Sequence, residues 1–480
     1  MNTCSNPDNI PGCIRKMTGC ERVFFMSPAC TVMMAARIRG KIDIDKFNQA
    51  LSTVTRIHPL LDAKVIFDKQ HEAWFSSDSV PGISLRIIPR ISKDQWVDEL
   101  KNEARIPFDI GKGPLIKYVL LQSEEESDFL VFCNHSICDG MALAGLIKEI
   151  LCRYGKPEGK IQVIVPPVSQ DLLKPRRNLK GMITNLFAFH ANRKWRKNPY
   201  HFGPEEYSTL YEEYWKNRSP GIVMMEFDKD ESVRLLEKCR EHQVTVGSAV
   251  SSAFLGAYQE IIGEFSSRQQ AIMVPFDIRR RSEPPIGDVF CFCVGSLRLP
   301  FSYQIKKTFW ENTVILNKAI HLLLKNPDPS GLDMPPFDHS LLDAMAAFAP
   351  FSDLAPKAYS QTEIFRRFIQ DSGNIAMTLN RNFQNMIPGF IPSNLGKIEI
   401  PESNDELNLE RLVFLPSASE INPLVMGGIG TDDRMTFTLT YVDPPAKTGI
   451  SPEPEMIRIR NRALEFLGFP EKVNEKVIGR

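Results

Sequence analysis

Net charge is the first thing this chain lacks: 58 lysines and arginines balance 58 aspartates and glutamates over 480 residues. A balanced chain has no global field with which to hold a polyanion. Nucleic acid is therefore excluded as the main partner, although a local basic patch is still allowed. No apolar run approaches the roughly 20 residues of a membrane span. The opening MNTCSNPDNIPGCIRK also lacks a basic-then-apolar leader pattern. A soluble, cytoplasmic protein is expected. Metal-type cysteine spacing is missing too. Cys4, Cys13, Cys20 and Cys30 are scattered, and Cys291-Phe292-Cys293 is C-x-C. Without a C-x-x-C pair or a Cys/His cluster, no metal site is expected and the ten cysteines read as reduced thiols. There is no GxGxxG or Walker loop, which argues against a nucleotide-binding enzyme.

What is present divides into two halves of similar plan. The chain is too long for one comfortable core, so two domains are expected. In the first half, Val32 to Arg39 reads as a strand. Asp43 then fits the N-cap of a helix with Ile44, Phe47, Leu51 and Val54 on one face, which stops before Pro59. In the second half, Ile222 to Phe227 is a strand and Thr245 caps a long apolar helix. Further strands are expected at Ile272–Ile278, Val289–Leu299, Ala376–Leu379 and Met435–Tyr441, with a tight turn at Pro392–Gly396. The partition expected is 1–170, a basic crossover linker 171–220, and 221–480, with a site in the groove between the halves. The linker holds a basic stretch from Lys174 to Lys197 around Met182, Ile183, Leu186, Phe187 and Trp195. Such a segment can lie on an anionic membrane or grip an acidic partner. The plainer reading, a solvated helix packed on the body, is preferred at this point.

Phe129 to Ile150 is the most informative stretch. The apolar run Phe129–Cys133 is a buried strand, Asn134 to Gly140 is a turn, and Leu143, Leu146, Ile147 and Ile150 share one face of a following helix. His135 stands where the strand ends, a place from which a rigid scaffold presents reactive side chains. Asp139 and Gly140 stand at the helix entrance, where Asp caps free N–H groups and Gly tolerates unusual dihedrals. His135 is the candidate general base, since an unperturbed imidazole accepts a proton near neutral pH. The plain alternative is a satisfied histidine at a strand end. A Cys138 nucleophile beside His135 is the weaker chemical alternative. His58, before Pro59, reads as structural.

His135-Ser136-Ile137-Cys138-Asp139-Gly140 is HxxxDG, and in this order along the chain it resembles the signature of the CoA-dependent acyltransferase superfamily, condensation domains included. Ala35 to Val65 resembles that superfamily's opening strand, helix and HPLL turn. Pro275-Phe276-Asp277-Ile278-Arg279 resembles the segment whose arginine pairs with the signature aspartate. Pro392-Ser393-Asn394-Leu395-Gly396 is similar to its late SNLG turn. The sequence departs from the pattern at Asn134, where many members have a first histidine, and in lacking the plant-type DFGWG motif. The resemblance implies an α+β fold of two chloramphenicol-acetyltransferase-like domains forming a V-shaped pseudo-dimer around a central groove. It implies transfer of an acyl group from a thioester to an alcohol or amine by His135, with Asp139 and Gly140 holding the turn and Arg279 bridging to Asp139. Asn394 is a candidate oxyanion donor. No permanent cofactor or metal is implied. Acyl-CoA is the expected co-substrate, with a phosphopantetheine thioester on an acyl carrier protein as the alternative, and a monomer is expected. A non-catalytic relative of the same fold is the third reading.

Overall fold

The computed structural model describes residues 10–156, 161–167, 179–282, 285–325, 336–354, 362–371, 373–384, 387–399, 407–419, 424–432, 434–443 and 452–474. Cys4, Lys174, Arg176 and Arg177 lie outside them. In chain order the first half runs β1 (Cys13–Lys16), α1 (Gly19–Phe25), β2 (Thr31–Arg39), α2 (Ile44–Ile57), β3 (Lys64–Phe67), β4 (Ala73–Ser76), β5 (Leu85–Pro89), α3 (Gln95–Glu103), β6 (Ile116–Gln122), β7 (Glu126–Asn134) and α4 (Gly140–Gly155). After α5 (Leu179–Trp195) and α6 (Pro204–Trp215) come β8 (Ser219–Phe227), α7 (Lys229–Glu241), α8 (Val246–Ile261), β9 (Ala271–Asp277), β10 (Val294–Pro300), α9 (Phe309–Lys325) and α10 (His339–Asp343). The chain closes with α11 (Glu363–Gln370), α12 (Ile375–Gln384), β11 (Phe390–Lys397), β12 (Asn408–Leu415), β13 (Leu424–Gly430), β14 (Met435–Asp443) and α13 (Glu453–Leu467). Among the described residues no helix is long and apolar enough to cross a membrane.

The fold is α+β. A five-stranded mixed sheet has the order β12-β2-β7-β6-β5, a six-stranded one β10-β9-β11-β13-β14-β8, and a small third sheet β1-β4-β3. β2 and β7 are buried at nearly every position because they lie inside the first sheet, and their apolar runs Val32–Ala36 and Phe129–Cys133 are covered on both faces. Asp43 caps α2 through Oδ1, which accepts from the N–H groups of Asp45 and Lys46. That satisfies free donors and stabilises the helix by about 1 kcal/mol. The buried stripe of α2, Phe47, Ala50, Leu51 and Val54, packs with α4. In the second half, α8 and α13 pack together in a separate core with the six-stranded sheet.

Three expectations change. Ala376–Leu379 is not a strand but part of α12. Asn374 Oδ1 accepts the Ala376 N–H at 2.9 Å, and Ala376 and Leu379 are buried at helical spacing. A four-residue apolar run cannot by itself distinguish the two periods. Pro392–Gly396 is not a tight turn but the body of β11, parallel to β13, with a register shift after Asn394 and Gly396 at φ +75°. Its glycine serves a strand irregularity rather than a reversal of direction. Residues 289–293 do not join β10, because their peptide groups are taken by Arg279 and Asp139. Pairing and core membership link distant parts of the chain. Pro220 and Gly221 lie inside β8, and β12 crosses back to pair with β2 from Asn408↔Arg39 to Leu415↔Met33. Leu341, Phe348, Phe365, Phe368 and Leu379 are also buried in the core of the first sheet.

Candidate active site

β7 delivers Asn134 at its last position, and the chain turns before α4. Asn134 is buried and stitches this turn. Its Oδ1 accepts from the Ser136 N–H at 3.0 Å and the Ser136 hydroxyl at 2.7 Å, while its Nδ2 donates to the Phe25 carbonyl at 3.1 Å. The residue that replaces a first histidine is thus a turn-former, a role asparagine fills through local side-chain bonds. That property was the available signal for it.

His135 follows, half-buried, with its backbone N–H on the Cys30 carbonyl at 3.0 Å. Its Nδ1 lies 2.8 Å from the Cys138 carbonyl oxygen. A carbonyl can only accept, so Nδ1 carries the hydrogen and the neutral ring keeps its lone pair on Nε2. Phe24 and Phe292 flank the ring at centroid distances of 4.5 and 5.4 Å. Burial is the largest influence on the ring and pushes its pKa below the ordinary 6.5, against the opposing pull of the Cys138 carbonyl and the Asp139 carboxylate. The neutral form with a free Nε2 lone pair is the proton acceptor that base catalysis needs. Cys138 is a poor nucleophile here. It is fully buried, and desolvation raises its thiol well above the ordinary value.

Asp139 spends both oxygens on structure. Oδ1 accepts the Ala142 N–H at 2.9 Å and caps α4, while Oδ2 accepts from the Cys293 N–H at 2.7 Å and from Arg279 Nη1 at 2.8 Å. Arg279 is equally committed. Its Nε donates to the Val289 carbonyl at 3.1 Å, Nη2 to the Cys291 carbonyl at 2.6 Å, and Nη1 also reaches Asp277 at 3.2 Å. The pair is buried and joins α4 to the 277–293 segment. The contribution of Val289, Cys291 and Cys293 comes through backbone groups, which no side-chain pattern advertises.

Gly140 opens α4 under pressure from two side chains. A Cβ added there would stand 2.7 Å from Phe414 of β12 and 2.8 Å from Leu395 of β11. Helix propensity alone favours alanine by about 1 kcal/mol, but forcing a methyl into packed atoms costs about 1–3 kcal/mol. The clash wins. Gly140→Ala is expected to lower both the melting temperature and the activity, as a thermal melt and a turnover assay would read. An unchanged melt would show that β11 and β12 yield freely. Leu395 faces Gly140, so alternation along β11 sends Asn394 to the other side. There Asn394 is exposed, its Oδ1 accepts the Gly396 N–H at 3.0 Å, and its amide packs against Gly247 and Gly428. The described contacts bring Asp139, Gly140 and Arg279 together around the His135 turn and do not bring Asn394 there.

A cavity of about 580 Å³ lies along α4, lined by Met141, Gly145 and Glu149 on one side and by Arg279, Val289 and Phe290 on the other. His58 also lines it, with Nε2 2.8 Å from Glu149 Oε2. His58 caps the C-terminus of α2, donating its backbone N–H to the Val54 carbonyl.

A strand-end histidine in an HxxxDG turn after β7, braced by an arginine that follows β9 of the six-stranded sheet, defines a class of α+β proteins with mixed sheets flanked by helices. The model of the Condensation domain family matches residues 17–310, more than half the chain, and the chain belongs to that family. The resemblance to the CoA-dependent acyltransferase superfamily agrees with this. A linear gramicidin synthase polypeptide of Brevibacillus parabrevis is 29% identical over 145 residues, which are 28% of this chain and 3% of that polypeptide. Phthiocerol/phthiodiolone dimycocerosyl transferase of Mycobacterium leprae is 22% identical over 290 residues, 57% of this chain and 64% of the transferase. The chain therefore spans less than two thirds of each of these relatives. Among solved structures, TRI3 trichothecene 15-O-acetyltransferase from Fusarium sporotrichioides shares the fold with a TM-score of 0.59 at 15% identity, covering 94% of this chain and 95% of that one.

Proposed function

We propose that the protein is an acyltransferase that moves an acyl group from a thioester, acyl-CoA in the first instance, to a hydroxyl or amine, without a covalent acyl-enzyme. The observation that carries this reading is His135, neutral, with Nδ1–H held by the Cys138 carbonyl and Nε2 left as a base. In this reading Nε2 takes the acceptor's proton as its oxygen or nitrogen attacks the thioester carbonyl. The tetrahedral intermediate collapses by breaking the C–S bond, and the imidazolium returns the proton to the departing thiolate. Charge on the ring is transient, as its depressed basicity requires. The buried, raised thiol of Cys138 supports direct transfer over an acyl-cysteine. Asp139, Gly140 and Arg279 act as positioning residues, since their polar groups are spent on one another. The cavity along α4 supplies room for a substrate beside the brace.

Donor identity has a second reading. The relatives matched include linear gramicidin synthase subunits and a nonribosomal peptide synthetase, which favours a carrier-bound phosphopantetheine thioester as the alternative donor. Thiol release from acetyl-CoA and longer acyl-CoAs over a panel of alcohols and amines tests the first reading. Turnover only with an acyl-loaded carrier protein favours the second. Silence with both donors leaves a non-catalytic relative. Where turnover is found, kcat/KM is expected to fall on the acid side with a midpoint below 6.5, because burial lowers the His135 pKa from that value. An acid limb centred at or above 6.5 would place another group in control.

A further inference from the structure

We propose that the outer face of α5 seats the protein on an anionic lipid surface. The inner face of this helix is anchored. Ala188, Ala191 and Trp195 are buried, Trp195 Nε1 donates to Ser340 Oγ at 2.8 Å, and Asn192 exchanges bonds of 2.8 Å with the Pro336 carbonyl and the Asp338 N–H. The outward face is as apolar as the inward one. Met182, Ile183, Leu186 and Phe187 recur at helical spacing, with Phe189 at their border, and all five are between 51% and 68% exposed. They are five of the seventeen large apolar side chains exposed among the described residues, gathered within eight positions. Isolated exposed apolar residues are ordinary, but a contiguous patch of this kind marks an interaction site.

Charge selects the occupant. Residues 172–204 carry eight lysines and arginines and no carboxylate, in a chain whose overall charge is zero. Arg193, Lys194 and Lys197 are exposed at the C-terminal end of α5, and Arg196 is held by Asp338 at 3.0 Å. No carboxylate among the described residues pairs with the first three. Lys174, Arg176, Arg177 and Lys180 cluster at the other end of the same sequence stretch. An apolar stripe with exposed cations at its C-terminal end matches a bilayer, which offers anionic headgroups above an apolar layer to a helix lying in its plane. An acidic protein would answer the cations but would need its own apolar patch for five large side chains. The plainer expectation, a helix simply packed on the body, accounts for one face only.

Co-sedimentation of the purified full chain with vesicles tests this. Binding is expected to phosphatidylcholine vesicles containing phosphatidylserine at low salt, and to weaken as salt screens the charges. The triple variant R193Q/K194Q/K197Q is expected to bind about a hundredfold more weakly. The pair L186E/F187E is expected to abolish binding. Both should keep the wild-type helical spectrum and the wild-type thiol release from a water-soluble donor. If the pair fails to fold, the triple variant, which alters only exposed cations, still decides. Absence of wild-type binding overturns the proposal, as does binding that neither variant changes or that is equal on neutral vesicles. Charge-dependent capture of an acidic carrier protein without vesicle binding overturns it in favour of a protein partner.

Discussion

His135→Ala is expected to lower kcat by about 10²–10⁴, the usual worth of a positioned base, while leaving the melting temperature close to that of the wild type. The two effects separate because the side chain holds little structure. It is half-buried, makes one hydrogen bond through Nδ1, and otherwise touches the rings of Phe24 and Phe292. One neutral hydrogen bond contributes only about 0.5–1.5 kcal/mol, whereas that loss of rate corresponds to roughly 3–5 kcal/mol of barrier. The turn itself survives, because Asn134, Ser136 and Asp139 hold it without the imidazole. Thiol-release kinetics alongside a thermal melt would read both quantities. Unchanged turnover would remove His135 from the chemistry.

Arg279→Ala is expected to do the reverse and strike stability first. Breaking a buried ion pair from one side costs about 3–5 kcal/mol, a large share of the roughly 5–15 kcal/mol that holds a domain folded. The loss here reaches beyond Asp139. The buried Val289 and Cys291 carbonyls also lose their donor, and α4 loses its tie to the 277–293 segment. Arg279→Lys should rescue little, since one ammonium cannot reproduce a planar fork reaching four acceptors. Asp139→Asn keeps an oxygen for the α4 cap but presents an N–H₂ where donors already converge, so it should fall between wild type and Arg279→Ala. Melting curves and kcat for the three variants check this order. A wild-type melt for Arg279→Ala would sink the brace.

Local signals were readable in the chain where local physics sets the outcome. Asp43 and Thr245 cap their helices, the all-apolar run of β7 is a buried strand, and Asp139 is the N-cap of α4. The resemblance carried the reading further and named Arg279 as the partner of Asp139 across 140 residues of sequence. Backbone contributions stayed invisible. Nothing in Val289-Phe290-Cys291-Phe292-Cys293 announces that its carbonyls and an N–H are bound by buried charges instead of a sheet. The run reads as strand because its side chains suit one. The place of Asn394 within β11 was likewise not legible in its motif. A strand alternates sides, and which neighbour faces α4 depends on register rather than on residue type.

By itself the sequence determined most of the element types, several of their caps, the α+β class, and the histidine at the end of β7, because these follow from period, propensity and neighbours a few residues away. Tertiary structure alone decided that β12 returns to the first sheet, that α10 to α12 share its core, and that Gly140 must stay bare beneath Phe414 and Leu395. It also decided that the apolar residues of α5 face outward while Trp195 faces in. Those outcomes depend on which apolar surfaces meet. Burial is non-directional, so a pattern of apolar residues states that a face will be covered without stating by what.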